Sequence, residues 1–447
     1  MPSHVLLGGA PDSVAIIDAT SGQTVSYDEL DDAVARRSTE LDGFAGGLVL
    51  LGASQSVETI IDYLALTDLG ATVAMLDPAS SKEAVRGWVE SYHPEGVWGF
   101  NAVTDPVPTQ TAIGGRAGEA VLLATSGSTG SPKFVRLSAS NLQANASQIS
   151  DVLEILPSHR ALGHLPLFYS YGLSVLNSHL LAGAAVVLTS ASAVRPEFWD
   201  AMVTHRVTSM PGVPYSYEMF VRVGLLAKEL PHLLDLTQAG GPMSNERVVE
   251  IQAAMQPKGV RLWIMYGQTE ASARISVLPA DELPEAAGSV GYALPGGAIE
   301  VLDPDPSGEG ELIYTGPNVM LGYCTNRDQL TGLDEHRGRL HTGDLGRTDA
   351  EGRIWITGRL KRIAKVFGTR VSLDDVESKL WALGPVAAIA DGDGVAIFVE
   401  SADEIEGLAR KVERNLGFPP RSVRASTVQR LPKTAAGKID YQSLMTS

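Results

Sequence analysis

Short apolar runs alternate with amphipathic stretches from the start of the chain to about residue 288. Apolar runs bounded by glycine or polar residues are typical of buried strands. They predict strands at 47–51, 72–76, 120–125, 184–189 and 260–265.

Helical periodicity separates these runs. Ser26 and Glu29 form a capping box, in which a hydroxyl and a carboxylate satisfy the free N–H groups at the start of a helix. The segments 55–69 and 141–153 have the same helical spacing of apolar residues. The alternation of strands and helices predicts an α/β body built around a sheet.

From about residue 288 the pattern changes to closely spaced short strands separated by glycine, proline and aspartate turns. Strands are predicted at 299–302, 311–314 and 353–357. Their spacing predicts a small β-barrel or β-sandwich.

The charge distribution predicts a domain boundary at residue 361. Residues 361–447 carry 13 Lys and Arg against 11 Asp and Glu, a net charge of +2, whereas the first 360 residues carry −19. In this tail, Ser372 with Asp375 and Asp403 with Glu406 each predict the start of a helix. Residues 395–399 predict a strand. We therefore expect domains at 1–360 and 361–447, the second a small α+β domain.

Composition limits the possible functions. The chain has 447 residues, of which 44% are hydrophobic, enough to bury a large core. A net charge of −17 repels phosphate backbones and anionic membranes, so we expect neither a nucleic-acid nor a membrane partner. The single cysteine, Cys324, excludes an internal disulfide and a cysteine-bound metal cluster. The apolar runs are shorter than the roughly 18 residues of a bilayer helix, and the N-terminus has no secretory signal, so we expect a cytoplasmic protein.

A loop rich in hydroxyl groups and glycine follows the predicted strand 120–125. It consists of Thr125, Ser126, Gly127, Ser128, Thr129, Gly130, Ser131, Pro132 and Lys133. Its N–H and O–H donors can all face an anion such as a triphosphate, which indicates a phosphate-binding loop. A Ser/Gly surface linker is the weaker alternative, because the loop leaves a buried strand and ends on a lysine. The common pattern GxxxxGK[ST] fails, since Lys133 does not follow a glycine.

Four further motifs follow the loop in order. They are Tyr266-Gly267-Gln268-Thr269-Glu270, Thr342-Gly343-Asp344, Gly358-Arg359 and Gly437-Lys438-Ile439-Asp440. Each alone has an ordinary structural explanation, such as a turn or a solvated lysine. Together, from about residue 27 to 444, the ordered set resembles the adenylate-forming superfamily of acyl-CoA synthetases, adenylation domains of peptide synthetases and beetle luciferases.

The resemblance implies a fold and a reaction. A large AMP-binding domain of α/β subdomains plus a small β-barrel, 1–360, would be followed by a small mobile α+β domain, 361–447. The implied reaction joins a small-molecule carboxylic acid to AMP with release of pyrophosphate, and then transfers the acyl group to a pantetheine thiol. The implied cofactors are ATP, Mg²⁺ and coenzyme A, or the phosphopantetheine of an acyl carrier protein.

The resemblance also assigns residues to the nucleotide. The loop 125–133 would hold the β- and γ-phosphates, Thr269 would reach the α-phosphate, and Glu270 would ligate Mg²⁺. The implied adenosine-binding residues are Tyr266, Gly267, Gly240 and Gly241 at the base, and Asp344 and Arg359 at the ribose.

Residues of the tail are implied in the chemistry and in a rotation of the small domain. Lys438 would span the carboxylate and the α-phosphate, where negative charge builds up during adenylation. Lys361 occupies the hinge position, two residues after Arg359. Lys365 and Gly368 match the loop beside the pantetheine tunnel, where a side chain at the glycine would obstruct the thiol.

Two positions depart from the family pattern. Tyr169 stands where many acyl-CoA synthetases have a histidine near the tunnel mouth, and Ala364 replaces a common isoleucine, so thiol access is expected to differ. Neither Tyr169 nor Ser170 is the aspartate that holds the α-ammonium in amino-acid-activating relatives. An α-amino acid is therefore disfavoured, and an uncharged aryl or alkyl acid is expected.

Three alternatives remain open at this stage. A stand-alone ligase could load a carrier protein, docked on the basic residues Arg410, Lys411, Arg414, Arg421 and Arg424 of the tail. A regulatory protein that binds nucleotides without catalysis should lack Glu270 or Lys438, and both are present. A phosphotransferase or ATPase would release ADP and phosphate rather than AMP and pyrophosphate.

Overall fold

The computed structural model describes residues 4–102, 119–124, 133–366, 369–380, 383–392, 394–401, 407–416, 422–433 and 439–445. The chain divides into two compact units. The first contains residues 1–287, 293–298 and 315–340, and the second contains 288–292, 299–314 and 341–447. The predicted boundary at residue 361 stays a prediction, since this division groups part of the β-rich segment with the tail.

The strands and helices follow one another with short connections. In chain order the strands are β1 (Val14–Asp18), β2 (Thr24–Ser26), β3 (Leu48–Gly52), β4 (Thr72–Leu76), β5 (Gly96–Trp98), β6 (Glu119–Ala124), β7 (Phe134–Ser138), β8 (Arg160–Gly163), β9 (Ala185–Leu188), β10 (Ser209–Gly212), β11 (Asp235–Gln238), β12 (Arg261–Tyr266), β13 (Ser276–Leu278), β14 (Tyr292–Ala293), β15 (Ala298–Leu302), β16 (Gly310–Thr315), β17 (Gly322–Cys324), β18 (Arg339–Thr348), β19 (Ile354–Arg359), β20 (Ile363–Val366), β21 (Thr369–Ser372), β22 (Val386–Asp391), β23 (Gly394–Glu400) and β24 (Val423–Val428). The helices are α1 (Tyr27–Glu40), α2 (Val57–Asp68), α3 (Lys82–Tyr92), α4 (Ala139–Val152), α5 (Ser170–Leu181), α6 (Pro196–Thr204), α7 (Pro214–Arg222), α8 (Asn245–Met255), α9 (Leu373–Lys379), α10 (Leu408–Leu416) and α11 (Tyr441–Met445).

Two sheets organise the first unit. One contains the run β13-β12-β11-β10-β8-β9-β1-β2, with parallel pairs from β12 to β1 and antiparallel pairs at both ends of the run. The other has the order β17-β7-β6-β4-β3-β5, in which β6 and β7 form an antiparallel hairpin. The predicted phosphate-binding loop connects these two strands, because Ala124 pairs with Phe134.

Helices cover both faces of the first sheet, and strand β12 shows why. Leu262 and Ile264 join an apolar cluster with residues of α6, α7 and α8. Trp263 and Met265, which alternate with them, join a different cluster with residues of α4 and α5. Successive side chains of a strand point to opposite faces, so a strand buried on both sides is a continuous apolar run.

Local sequence signals explain many element boundaries. The Ser26–Glu29 capping box is confirmed: the Glu29 amide donates to Ser26 Oγ at 3.2 Å, and the Ser26 amide donates to Glu29 Oε2 at 2.8 Å. The predicted strand 72–76 is confirmed without a shift, and the other strands predicted in this unit begin and end within one residue. Pro196 and Pro214 begin α6 and α7 at the position where a missing N–H costs nothing.

The second unit contains a four-stranded sheet, β15-β16-β18-β19, a hairpin, β20-β21, and a three-stranded sheet, β22-β23-β24. One apolar cluster joins β20, β22 and β23 to α9 and α10. The predicted helix after Ser372 is confirmed as α9, and the strand 395–399 lies within β23. The predicted caps Asp403 and Glu406 lie outside the described residues. No helix in the described parts of the chain is long and apolar enough to cross a membrane.

Candidate functional site

The carboxyl ends of parallel strands gather predicted site residues at one edge of the first sheet. Gly240 and Gly241 follow β11, and Gly267 follows β12. Gly240 has a positive φ of 88°, and a Cβ there would overlap the Tyr169 hydroxyl. Ligands of open α/β sheets bind at this edge. The tyrosine hydroxyl therefore occupies the space that a side chain at position 240 would fill.

The segment after β12 makes a tight reversal. A Cβ on Gly267 would overlap the Ala273 carbonyl oxygen, so only glycine fits. The Ala271 amide donates to the Gln268 carbonyl oxygen at 3.0 Å, and Ser272 and Ala273 both have positive φ, 53° and 106°. These conformations are costly for residues with a Cβ, so the surrounding contacts must hold the turn.

Glu270 lies in this turn beside Tyr323. The Tyr323 hydroxyl donates to Glu270 Oε1 at 2.9 Å. Lys133 Nζ lies 3.1 Å from the centre of the Tyr323 ring, in a cation–π contact. Burial, followed by the charge of Glu270, raises the pKa of Tyr323 well above its usual range, so the phenol stays a donor. One tyrosine thus joins the last residue of the predicted phosphate loop to the predicted metal ligand.

Thr269 contacts the start of helix α5. Its hydroxyl lies 3.2 Å from the Ser170 hydroxyl. The neighbouring Tyr169 is largely buried, and burial raises its pKa to about 12. Sequence-predicted nucleotide and acid residues therefore lie side by side in the first unit.

The second unit brings together the predicted ribose residues. Asp344 and Arg359 are opposite each other in the antiparallel pair β18-β19. Arg359 Nε donates to Asp344 Oδ1 at 2.8 Å, with the carboxylate buried and 58% of the arginine side chain exposed. The Thr342 hydroxyl accepts a hydrogen bond from the Asp344 backbone N–H at 3.1 Å and donates to the Leu312 carbonyl oxygen at 2.6 Å, which holds the backbone at Asp344.

The remaining predicted residues belong to the loop and the tail. Lys361 lies in the short 3₁₀ segment Leu360–Arg362, and Lys365 lies in β20 opposite Arg370. The predicted residues outside the described parts of the chain are Thr125, Ser126, Gly127, Ser128, Thr129, Gly130, Gly368 and Lys438.

Comparison with known proteins gives the family. A model of the AMP-binding enzyme family matches residues 115–324. 4-Coumarate–CoA ligase 5 from Oryza sativa subsp. japonica is 27% identical over 96% of this chain and 90% of its own length. A feruloyl-CoA synthase from Amycolatopsis sp is 30% identical over 71% of this chain and 68% of its own length. The chain belongs to the adenylate-forming enzymes.

Solved structures agree with the fold of this adenylate-forming enzyme. An o-succinylbenzoate CoA synthetase from Bacillus subtilis, in complex with its acyl-adenylate intermediate, matches with a TM-score of 0.79 at 22% identity, over 97% of this chain and 96% of that one. ATP-bound MatB from Rhodopseudomonas palustris matches with a TM-score of 0.80 at 24% identity, over 99% and 98%. The predicted α/β fold class is confirmed, and the ligases among the relatives confirm that the chain is an acid–thiol ligase.

Two polar residues of this adenylate-forming enzyme could not be predicted from the sequence. The contact of Tyr323 with Glu270 spans 53 residues of chain and leaves no local signal in the sequence. Arg274 stands alone before an apolar strand, and only the structure shows that it is buried.

Proposed function

We propose that this enzyme activates a carboxylic acid with ATP and then transfers the acyl group to the thiol of coenzyme A. In the first step a carboxylate oxygen attacks the α-phosphorus, the bond to the bridging oxygen breaks, and pyrophosphate leaves. In the second step the thiol sulfur attacks the acyl carbon, AMP leaves, and the thiol loses its proton. The observation that supports this proposal is the position of Tyr323: its ring contacts Lys133, and its hydroxyl donates to Glu270.

This arrangement matters because binding of Mg·ATP requires a cation for the phosphate oxygens and a carboxylate for Mg²⁺ close to each other. Lys133 supplies a cation for phosphate oxygens at the end of the loop, and Glu270 supplies a hard carboxylate oxygen. Mg²⁺ in nucleotide sites is commonly held by one or two carboxylates together with substrate phosphates, and Glu270 fits that donor set. When bound, Mg²⁺ would neutralise charge on the phosphates.

Other residues would orient the substrates. We propose that Thr269 binds the α-phosphate and that Tyr266 lies against adenine beside Gly240 and Gly241. In the second unit, the Asp344 carboxylate would accept hydrogen bonds from the ribose hydroxyls, with Arg359 fixing it. The proposed roles in the tail are a bridging cation for Lys438, a hinge for Lys361, and the wall of a pantetheine channel for Lys365 and Gly368.

Pyrophosphate exchange tests the first step. Wild-type protein with Mg·ATP and a panel of carboxylic acids should incorporate labelled pyrophosphate into ATP and should release AMP. Glu270→Gln should reduce exchange strongly, because it removes the negative charge that holds Mg²⁺. Release of ADP and phosphate, independent of any acid, would contradict the proposal.

A carrier protein is a second candidate acceptor, and the face of helix α10 favours it. Leu408 and Val412 are buried, whereas Arg410, Lys411 and Arg414 are exposed on the other side of the helix. Carrier proteins are typically acidic, so this basic face can attract one. Reversing the charge of Arg410 and Arg414 to Glu should then slow transfer of a preformed acyl-adenylate to a carrier more than transfer to coenzyme A. An equal effect on the two acceptors would leave coenzyme A as the favoured one.

A further inference from the structure

Arg274 places a guanidinium inside the first unit, four residues after Glu270. Only 2% of the residue is exposed. Its Nε donates to the Met265 sulfur at 3.3 Å, and its Cζ lies 4.0 Å from the centre of the Tyr171 ring. A thioether sulfur is a weak acceptor. Among the residues that the structure describes, no carboxylate forms an ion pair with this guanidinium.

A second buried arginine of the same unit shows how a buried guanidinium is paired within the protein. Arg136 is also fully buried. Its two Nη atoms donate to the carbonyl oxygens of Gly332 and Leu333, each at 3.0 Å, and one lies 3.3 Å from Glu335 Oε1. Both Nη atoms of Arg136 thus have oxygen acceptors, one of them a carboxylate. The described surroundings of Arg274 offer a sulfur and an aromatic ring instead.

Arg274 retains its charge in this environment. Burial lowers the pKa of Arg274, but a guanidinium remains protonated in proteins. Removing a cation from water without an anionic partner is strongly unfavourable. A ligand that supplies the anion would remove this penalty on binding.

The backbone holds Arg274 in place. Its carbonyl oxygen accepts the side-chain amides of Asn145 at 3.2 Å and of Asn318 at 2.8 Å. The Asn318 amide also donates to the Ala271 carbonyl oxygen at 2.7 Å, so one side chain fixes both ends of the turn. A preorganised guanidinium loses little freedom when it binds an anion.

Arg274 lies near the positions that the family resemblance associates with the acid substrate. Tyr171 follows Tyr169 and Ser170, and the rings of Tyr169 and Tyr171 lie 6.2 Å apart. Gln268 adds a second donor in the same turn: its Nε2 is buried and has no hydrogen-bond partner among the described residues. The turn that carries the proposed metal ligand therefore also carries two underused buried donors.

We propose that Arg274 binds a second carboxylate of the acid substrate, so that the enzyme activates dicarboxylic acids. The inference rests on the proposed function, since it names the acid that is activated at the same site. The guanidinium fork matches a carboxylate in bidentate geometry. A dicarboxylic acid thus replaces the uncharged acid that the sequence alone predicts.

Matched pairs of acids test the proposal by pyrophosphate exchange. The pairs are succinate with butyrate, glutarate with valerate, and isophthalate with 3-toluate, which differ in one carboxylate. Wild-type kcat/KM should favour a diacid of at least one pair by about 100-fold, because a site with buried donors rejects a ligand that leaves them unpaired. Arg274→Met should abolish that preference by lowering kcat/KM for the diacid. It should leave kcat/KM for the monoacid and the KM for ATP unchanged. The exposed Arg195→Met is the matched control, and it should retain the preference.

Each other outcome has a defined meaning. If monoacids exchange as well as diacids in the wild type, Arg274 does not select a second carboxylate, and the proposed ligase function stands. If Arg274→Met lowers exchange with every acid equally while ATP binding is retained, the inference is wrong. If Arg274→Met does not fold, Arg274→Lys serves instead: it should reduce the diacid preference, because lysine cannot form the bidentate pair, and an unchanged preference would overturn the inference. If no acid supports exchange but ADP forms, the proposed function itself is wrong.

Discussion

The Tyr323 hydroxyl donates a hydrogen bond of 2.9 Å to Glu270 Oε1, across 53 residues of chain. The bond holds the carboxylate in one orientation, and the ring of the same tyrosine contacts Lys133. Strand β17 carries Tyr323 and pairs with β7, the strand that begins directly after Lys133. A sheet pairing therefore sets the distance between the proposed phosphate-binding and metal-binding residues.

Tyr323→Phe should weaken the use of magnesium. The phenylalanine retains the ring under Lys133 but removes the hydrogen bond to a charged carboxylate, which contributes about 1.5 kcal/mol. We expect the Mg²⁺ concentration for half-maximal pyrophosphate exchange to rise about tenfold. Tyr92→Phe is the control, because it removes a buried hydroxyl that donates to the Cys324 carbonyl oxygen at 3.0 Å. Equal magnesium dependence in the two variants would contradict the role of Tyr323.

Lys438→Ala should separate the two half-reactions. The cation is proposed to act only where charge builds up on the α-phosphate, and removing such a group costs about 10²–10³ in rate. Pyrophosphate exchange should fall by that factor, while transfer from a supplied acyl-adenylate to coenzyme A should keep its rate. The control is Lys411→Ala, at an exposed lysine of α10. Equal loss in both half-reactions would remove Lys438 from this role.

Tyr441→Phe, a change in the second unit, should slow adenylation, the half-reaction that Lys438 is proposed to assist. The Tyr441 hydroxyl donates to Glu377 Oε2 at 2.9 Å, and Arg362 Nη2 donates to Glu377 Oε1 at 2.6 Å. The Arg362 Cζ lies 3.8 Å from the centre of the Tyr441 ring. This cluster connects the residue after Lys361 to the helix that begins three residues after Lys438.

We expect Tyr441→Phe to reduce exchange about tenfold, the factor for losing one hydrogen bond to a carboxylate. Transfer from a supplied acyl-adenylate should keep its rate. Ser443→Ala, which removes an exposed hydroxyl bonded to Asp440 in the same helix, should leave exchange unchanged. If both half-reactions slow together, Tyr441 does not act by positioning Lys438 for adenylation.

His164 should make the protein sensitive to acid. Its ring lies 5.4 Å from the Phe198 ring and 6.0 Å from the Phe220 ring, and burial lowers its pKa from 6.5 to about 4. Between these values the unfolded chain binds the proton and the folded chain does not. The free energy of unfolding therefore falls as the pH decreases from 6.5 to 4, by up to about 3 kcal/mol from this residue.

His164→Phe should reduce the loss of unfolding free energy at acidic pH by up to about 3 kcal/mol. Urea unfolding at pH 7.5, 5.5 and 4.5 measures this loss. The control His232→Phe changes a partly exposed histidine of the same unit and should keep the wild-type slope. The same slope in all three proteins would show that His164 does not titrate between the two states.

The sequence predicts those structural features that depend on residues close together in the chain. Ser26 and Glu29 are three positions apart, and their capping box is confirmed because both hydrogen bonds are local. The strand 72–76 is an uninterrupted apolar run and is confirmed for the same reason. The opposite placement of Asp344 and Arg359 required the register of β18 and β19, which a bulge near Leu345 and Gly346 alters.

The sequence could not predict Tyr323 or Arg274 as site residues, because neither has a local partner that reveals it. Burial of Arg274 depends on Tyr171, Met265 and the turn after Gly267, which are brought together only by tertiary packing. A lone arginine before an apolar strand is usually solvated, so composition and spacing favour the wrong environment for it.

The Asn318 side chain also affects how substrate preference can change over evolutionary time. Its amide holds the carbonyl oxygens of Ala271 and Arg274, at 2.7 and 2.8 Å, through backbone atoms alone. The side chain at position 274 can therefore be exchanged without releasing the turn that carries Glu270. Descendants of such an enzyme could acquire new acids by replacing one residue, while the machinery that splits ATP is inherited intact.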